Sequence, residues 1–371
     1  ESKLFFSYFY WAINCGALVS YTLIAYIVQY GVPFLDVPVS WGFFVGMVIV
    51  TASMTIGIIA YLWGSYRFEI LKPKGSMLST ALRIVLTAAS SSRNNEDNHE
   101  TETQILHPLL DDISRKSNVR KEGRENFSEN AKEDSWQYNR LPSSWLDSAH
   151  PTFSKANIEA VKYVLRLIPW LLMMVAFWAI YGQTKTAFQL QGCSMDPRMS
   201  SSFEIPVTFM NIFNNMSILT LVPVFEKYLY PYLKRRYNYV PSMLDKIGMG
   251  LFISGLAMVV AGGIEMFRLQ HVPPPCFYGD AECEATLSPC KDLKNYGEGD
   301  ILPQKSSISI FWQIPQFIMV GIAEIFASIT SYEFFYSQAP MEMRSVSQAC
   351  NMITNACGSW ITIPLVLLVN T

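Results

Sequence analysis

The stretch from Phe6 to Leu18, FSYFYWAINCGAL, decides how the rest of the chain is interpreted. It lies in an apolar run long enough to cross a bilayer, yet Tyr10 and Asn14 bring polar groups to membrane depth. These two residues are four apart and therefore share one face of a helix. Polar side chains at that depth are costly unless they face the protein interior or a water-filled cavity. This face is therefore a candidate binding surface.

The composition places the whole chain in a membrane. Of its 371 residues, 50% are hydrophobic, 14% aromatic and only 16% charged, which is too apolar for an ordinary soluble protein. The charges are concentrated between residues 93 and 140, where 19 of 48 residues are charged, 8 basic and 11 acidic. The remaining sequence contains seven apolar runs of about 20 residues, the length that crosses a hydrocarbon core of roughly 30 Å. These predicted spans are 4–30, 41–63, 163–190, 205–230, 246–268, 308–335 and 345–369.

The distribution of Lys and Arg predicts the orientation of these spans, because basic loops tend to stay in the cytoplasm. Segments 64–162 and 234–246 are basic, whereas 31–40 has no basic residue. The first span is therefore expected to run outward, which makes 269–307 an external loop. In an oxidising compartment, the cysteines of the external loops would form one or two disulfides. These cysteines are Cys193, Cys276, Cys283 and Cys290.

The pattern divides the chain into four segments. Residues 1–63 carry two spans, and residues 64–92 predict an amphipathic helix at the cytoplasmic interface. Residues 93–155 predict a disordered, charged cytoplasmic linker, which is also a candidate surface for a cytoplasmic partner. Residues 156–371 carry the other five spans.

Enzyme chemistry is not indicated by this sequence. It has no Gly-rich phosphate loop ending in Gly-Lys-Ser/Thr, no His-Glu-x-x-His and no nucleophile elbow. Its histidines, which could otherwise relay protons, all lie outside the predicted spans: His99, His107, His150 and His271. We expect no metal, no organic cofactor and no nucleic-acid partner.

Other polar residues also fall at membrane depth, where one acid, one cation and several amides could together bind a zwitterion. They are Gln183, Lys185, Asn211, Asn214, Asn215, Glu324 and Glu333. Each has a structural alternative, because amides bond to neighbouring helices, Lys185 can snorkel to the headgroups, and Glu333 lies near the inner end of its span. Glu324 and Glu333 are nine residues apart and point to opposite helix faces, so they cannot share one site on this helix.

The run FYWAINCG at 9–16 resembles a family signature, Phe-Tyr-x-x-Ile-Asn-x-Gly, of the proton-coupled oligopeptide transporters. Further runs are similar to the seventh to tenth helices of that family, in order: 165–192, 214–236, 245–269 and 311–340. The resemblance implies an all-α membrane protein with the major facilitator superfamily fold. It also implies a partial fold, with about seven of the twelve helices present, namely helices five to eleven.

The resemblance also assigns roles to individual residues. It implies that Tyr10 and Asn14 contact the peptide backbone and its amino end in a central cavity, and that Asn214 binds backbone polar atoms. Glu333 corresponds to the acid that holds the substrate ammonium, where scarce water strengthens charge pairing. The remaining candidates for substrate contact are Gln183, Lys185 and Phe188, the last at the aromatic wall position of the family.

Proton coupling is the second property that the resemblance implies, with the proton as coupling ion. Gly182 stands where many family members carry an acid, so one protonatable group is absent here. This departure, with the run IAEIFASI at 322–329, looks more like the peptide/histidine branch of the family. Glu333 is expected to be proton-linked, and Arg166 with Glu226, both near inner helix ends, is predicted to form a gate.

The implied function is proton-coupled symport of di- and tripeptides, and of histidine, by alternating access. The protein would be a multi-pass protein of the plasma membrane or an endolysosomal membrane. The alternative is a membrane scaffold or adaptor that keeps the transporter fold with weak or no transport. Gly182 and the 93–155 linker favour that alternative.

Overall fold

The structure is a computed structural model and is mainly helical. It describes residues 2–32, 38–67, 76–102, 144–150, 152–200, 203–274, 276–277, 287–288, 290, 300–302 and 304–370. Most of the predicted linker, 103–143, therefore lies outside the described residues, as does Cys283.

Six helices in the described part of the chain are long and apolar enough to cross a membrane. They are Tyr8–Tyr30, Val39–Ser65, Lys155–Cys193, Val207–Tyr237, Met243–Leu269 and Ile310–Ser337. They coincide with the first six predicted spans, although the third begins earlier because Ser154 caps a helix that runs directly into the apolar stretch. The seventh predicted span, 345–369, is the helix Arg344–Asn370, whose first half is more polar.

The helices are numbered α1 to α13 in chain order. The first six are α1 (Ser2–Val19), α2 (Ala25–Tyr30), α3 (Val39–Ser65), α4 (Met77–Glu102), α5 (Lys155–Arg166) and α6 (Ile168–Gly182). They are followed by α7 (Ala187–Cys193), α8 (Asn211–Val224), α9 (Tyr230–Tyr237), α10 (Met243–Leu269), α11 (Ile314–Glu324), α12 (Thr330–Ser337) and α13 (Arg344–Asn370). Short 3-10 segments lie at Trp145–Ala149, Gln183–Lys185, Val207–Met210, Ile310–Gln313 and Met341–Met343.

Three spans contain a π-helical turn, a feature that often accompanies functional sites. These turns are Ser20–Ile24 between α1 and α2, Phe225–Leu229 between α8 and α9, and Ile325–Ile329 between α11 and α12. The third span is instead broken by the 3-10 turn Gln183–Lys185. Each interruption changes the direction in which the following side chains point.

Helix α4 is described as far as Glu102, ten residues past the predicted boundary at 92. The sequence between Gly75 and Pro108 contains no further glycine or proline, so no strong helix breaker ends the helix at 92. The polar composition that predicts disorder from residue 93 therefore does not stop this helix.

The chain forms two compact units. One unit comprises Glu1–Leu71, Pro169–Ser337 and Gln348–Thr371, and the other comprises Lys72–Ile168 and Gln338–Ser347. In the second unit, Lys162 pairs with Asp147 at 2.6 Å, although its side chain is only 8% exposed. The Lys162 ammonium lowers the pKa of the Asp147 carboxyl.

Glycines allow the closest helix contacts of the larger unit. A Cβ on Gly321 in α11 would lie 2.8 Å from the carbonyl oxygen of Asn214 and 2.9 Å from the Cβ of Ser217, both in α8. Real Cβ atoms do not approach other atoms so closely, so the two helices can approach to this distance only with glycine at this position. This contact sets the spacing between Asn214 and Glu324, one turn beyond Gly321.

Helices α6 and α13 meet in the same manner. A Cβ on Gly182 would lie 2.5 Å from Oγ1 of Thr362, and a Cβ on Gly358 would lie 2.5 Å from the Cβ of Trp178. The Thr362 hydroxyl also donates to the carbonyl oxygen of Ala179 at 3.3 Å. Gly182 therefore has a packing role in this fold, and the close contact leaves no room for a carboxylate there.

Short strands and a disulfide order the loops that are predicted to be external. Cys193 forms a disulfide with Cys290, and Cys276 takes part in a separate disulfide. The strands are β1 (Arg198–Ser200), β2 (Phe203–Glu204), β3 (Cys276–Phe277) and β4 (Ile301–Leu302), and they pair β1 with β2 and β3 with β4, both antiparallel. Beside β1, Arg198 pairs with Asp196 at 2.8 Å.

Candidate functional site

The first and sixth spans share one buried polar centre. The hydroxyl of Tyr10 in α1 donates to Oε1 of Glu324 in α11. Tyr10 is 7% exposed and Glu324 is 3% exposed. Oγ of Ser328, in the π turn that follows Glu324, donates to the Tyr10 hydroxyl oxygen at 3.2 Å. A carboxyl group so deeply buried is costly, which marks it as a functional candidate.

Helix α8 contributes Asn214 to the same centre. Asn214 is 4% exposed, and its side chain interacts with the Glu324 carboxyl, as does that of Tyr181 in α6. Two acceptor atoms, Oδ1 of Asn214 and Oε2 of Glu324, receive no hydrogen bond from the residues that the structure describes. Because unsatisfied buried acceptors cost free energy, the centre is suited to a ligand that donates hydrogen bonds.

Asn14 lies on the same face of α1, one turn beyond Tyr10, and is 4% exposed. Its Nδ2 donates to the carbonyl oxygen of Tyr10 at 2.9 Å, so the amide nitrogen is used within its own helix. This bond holds the Asn14 side chain against the segment that carries Tyr10.

The third span supplies three predicted contacts with different surroundings. Gln183 is 5% exposed and donates to the carbonyl oxygen of Ala179 at 3.3 Å. Phe188 is 2% exposed and packs edge-on against Phe317 in the hydrophobic core, with ring centroids 5.4 Å apart. Lys185 is exposed, and its charge reaches the Glu324 carboxyl. Lys185 thus combines exposure with electrostatic access to the centre.

The acid beside Tyr10 is Glu324, although the family resemblance pointed to Glu333. Glu333 is half-buried in α12 and interacts electrostatically with Tyr230. Depth in the membrane is the sequence feature that favours Glu324 as the buried acid. Glu324 lies near the middle of the predicted span 308–335, whereas Glu333 lies two residues from the end of that span. The substrate-binding role of Glu333 stays a prediction.

The predicted gate residues, Arg166 and Glu226, lie in the third and fourth spans. Arg166 is exposed in the last turn of α5, and Glu226 is exposed in the π turn between α8 and α9. Their pairing in another conformation stays a prediction. No group of three or more His, Cys, Asp or Glu side chains arranged to hold a metal ion occurs among the described residues.

Comparisons with known proteins agree with this architecture. The family model described as the POT family matches residues 1–371. "Protein NRT1/ PTR FAMILY 8.1" of Arabidopsis thaliana is 29% identical over 100% of this chain and 59% of its own length. "Solute carrier family 15 member 3" of Mus musculus is 28% identical over 100% of this chain and 56% of its own.

Two solved structures share the fold. An auto-inhibited POT family peptide transporter has a TM-score of 0.56 and 20% identity, covering 100% of this chain and 63% of that one. The POT family transporter PepTSo also has a TM-score of 0.56, with 19% identity, covering 97% of this chain and 62% of that one.

The apolar helices, their bent architecture and these matches define a multi-pass integral membrane protein with the major facilitator superfamily fold, present in part. The chain belongs to the POT family, which is a family of transporters. It spans 59% and 56% of the length of the two relatives described above.

Proposed function

We propose that this chain is part of a proton-coupled symporter of small peptides, and that Glu324 binds the substrate ammonium. The observation that carries the proposal is the buried centre in which Tyr10 and Asn214 surround the Glu324 carboxyl. An ammonium group donates up to three hydrogen bonds, which would satisfy both Oε2 of Glu324 and Oδ1 of Asn214, the two unsatisfied acceptors.

The other substrate contacts follow from the same geometry. Lys185, exposed and electrostatically linked to Glu324, is suited to a substrate carboxylate and would complete the recognition of a zwitterion. Asn14 would bind the peptide backbone, for which amides are chemically matched. Histidine, a zwitterion of similar size, is the second substrate that we propose to test.

Proton coupling follows from the same carboxyl group. A protonated, neutral Glu324 cannot pair with an ammonium, whereas the ionised form can. A single carboxyl that alternates between proton and substrate amine would therefore link their movements. The family resemblance to proton-coupled carriers supports this role, and the description of a structural relative as a peptide transporter supports a peptide as the substrate.

Uptake by the full-length protein in proteoliposomes tests this proposal. Labelled dipeptide would be supplied under an inward proton gradient to wild type, Glu324→Gln and Glu333→Gln. Losing one partner of a buried charge pair costs about 2–5 kcal/mol, so Glu324→Gln should raise the dipeptide concentration needed for half-maximal uptake by about thirtyfold or more. Glu333→Gln is the comparison, because it makes the same change on the same span at the acid to which the family resemblance points.

The outcomes separate the candidate roles. If Glu333→Gln abolishes binding and Glu324→Gln does not, the acid predicted from the family resemblance is the amine site and this assignment to Glu324 is wrong. If inserted wild-type protein transports neither dipeptide nor histidine, the scaffold alternative becomes the better description. An N-acetylated dipeptide, which lacks the ammonium, should compete poorly if Glu324 acts as proposed.

A further inference from the structure

We propose that the turn joining α9 to α10 binds the phosphate headgroups of anionic phospholipids. This basic turn is defined here as residues 227–246. Its charged residues are five cations and one carboxylate: Lys227, Lys234, Arg235, Arg236, Lys246 and Asp245. Clusters of about 4–8 Lys and Arg beside a membrane span attract the anionic lipids of the cytoplasmic leaflet. The distribution of Lys and Arg places the turn on that side.

The length of the span brings the turn to headgroup depth. The helix Val207–Tyr237 has 31 residues, or about 46 Å at about 1.5 Å per residue. This exceeds the roughly 30 Å hydrocarbon core, so its last turn extends beyond the core. That last turn carries Lys234, Arg235 and Arg236.

The three cations of the last turn have no acidic partner in the described part of the chain, although Arg236 lies 5.8 Å from the centroid of the Tyr237 ring. Lys234, Arg235 and Arg236 are all exposed. Adjacent guanidinium groups present planar forks of N–H donors that match phosphate oxygens. An exposed cluster of this kind favours an anionic phosphate headgroup over a neutral one.

The one carboxylate of the turn is already committed to holding its backbone. Asp245 accepts hydrogen bonds from the backbone N–H of Ser242 at 2.9 Å and from the Tyr239 hydroxyl at 3.0 Å. Asn238, with φ of 48°, reverses the chain after α9 in the left-handed conformation that ends many helices. The turn is therefore fixed before any lipid binds, which lowers the entropy cost of binding.

Exposed tyrosines alternate with the cations along this segment. The exposed fractions are 62% for Tyr228, 56% for Tyr232, 63% for Tyr237 and 47% for Tyr239. Tyrosines concentrate at the membrane interface, where the ring lies among acyl chains and the hydroxyl contacts headgroups. Tyr228, Tyr232 and Tyr237 therefore suit the headgroup layer, whereas the hydroxyl of Tyr239 is bonded to Asp245.

The competing explanation is that this basic loop only sets the orientation of the spans in the membrane. The two explanations make different demands on the individual cations. Orientation depends on the number of basic residues in a loop. Lipid binding in the folded protein requires the particular cations of the last α9 turn. Replacing equal numbers of cations in this turn and elsewhere on the same side therefore distinguishes them.

The test measures binding of phosphatidylserine to detergent-solubilised full-length protein by native mass spectrometry. The variant is Arg235→Gln with Arg236→Gln, and the control is Arg67→Gln with Lys155→Gln, which removes two other exposed cations. At about 1 kcal/mol per surface cation, the variant should bind phosphatidylserine about thirtyfold more weakly. The control should bind like wild type, and phosphatidylcholine binding should change in neither.

Three results would overturn the proposal. Unchanged phosphatidylserine affinity in the variant, or an equal loss in the control, would leave the turn with an orientation role only. Displacement of the lipid by inorganic phosphate would assign the site to a soluble anion. A second variant, Arg235→Lys with Arg236→Lys, keeps the charge but loses the planar forks, so its affinity should lie between those of wild type and the glutamine variant.

Discussion

Tyr10 and Glu324 lie 314 positions apart in the chain, and the hydroxyl of Tyr10 donates directly to the Glu324 carboxyl. The bond joins the first span to the sixth. In the family assignment the first span belongs to the N-terminal helical bundle and the sixth to the C-terminal bundle. Both spans lie in the same compact unit, and under the proposed alternating-access mechanism the charge of Glu324 would bear on their relative movement.

The Tyr10 hydroxyl should therefore matter for both stability and transport. Tyr10→Phe removes the donor while keeping the ring, leaving a buried carboxyl with one fewer partner. The expected cost is about 1–3 kcal/mol of stability, with a weaker dependence of uptake on the proton gradient. Tyr8→Phe, on a tyrosine that is 65% exposed, is the control. Equal melting temperatures for the two variants would argue against a stabilising role for the Tyr10 bond.

The close contact between α6 and α13 predicts a steric effect at Gly182. Gly182→Ala would place a Cβ 2.5 Å from Oγ1 of Thr362, and overpacking of this kind costs about 1–3 kcal/mol. Removing the obstructing hydroxyl with Thr362→Ala should recover part of that loss in the double variant. Thermal unfolding of the two single variants and the double variant measures the coupling. Strict additivity would show that the two residues do not touch in the folded protein.

The disulfide between Cys193 and Cys290 joins residues that are 97 positions apart in the sequence. Removing a disulfide typically costs about 2–4 kcal/mol, so Cys193→Ser should lower the thermal stability of the protein. Cys350→Ser, at a free cysteine, is the matched control and should melt like wild type. In wild type, a reducing agent breaks both the Cys193–Cys290 bond and the bond at Cys276, so it should lower the melting temperature at least as much as Cys193→Ser does. In the Cys193→Ser variant, it should add only the effect of losing the bond at Cys276. Identical melting of the two serine variants would contradict this expectation.

The sequence predicted the membrane class and the helix positions because long apolar runs have few other stable structures in lipid. It predicted the individual site residues less completely. Tyr10, Asn14 and Asn214 all proved buried near one centre. The sequence identifies Glu324 as an intramembrane acid but does not identify its partners. Those partners depend on how the helices pack at Gly321, and spacing within one helix does not predict that packing.

Phe188 and Gly182 also have contacts that the sequence pattern does not predict. A membrane-depth aromatic residue can line a cavity or fill a core with the same sequence pattern, and Phe188 packs against Phe317. Gly182 was interpreted only as a missing acid, whereas the structure also gives it a contact partner in Thr362. Neither contact leaves a periodic signal, because each joins helices that are far apart in sequence.

The ion pair between Asp196 and Arg198 predicts how the loop beside β1 responds to acid. The Arg198 guanidinium holds the pKa of the Asp196 carboxyl below its usual value. A carboxyl with a lowered folded-state pKa contributes stability that is complete above its unfolded pKa of about 3.9 and is lost as the pH falls through the folded value. Between pH 5 and pH 7 this contribution should therefore stay nearly constant.

Asp196→Asn tests that constancy. The variant should be less stable than wild type, and the difference in melting temperature should be nearly the same at pH 5 and at pH 7. Glu204 is the comparison, because Lys305 pairs with both acids and lies 3.8 Å from Glu204. The Glu204 side chain is more exposed than that of Asp196. Glu204→Gln should therefore have the smaller effect on the melting temperature. If the destabilisation by Asp196→Asn instead vanished at pH 5, the Asp196 carboxyl would have to titrate above its unfolded pKa, contrary to the pairing with Arg198.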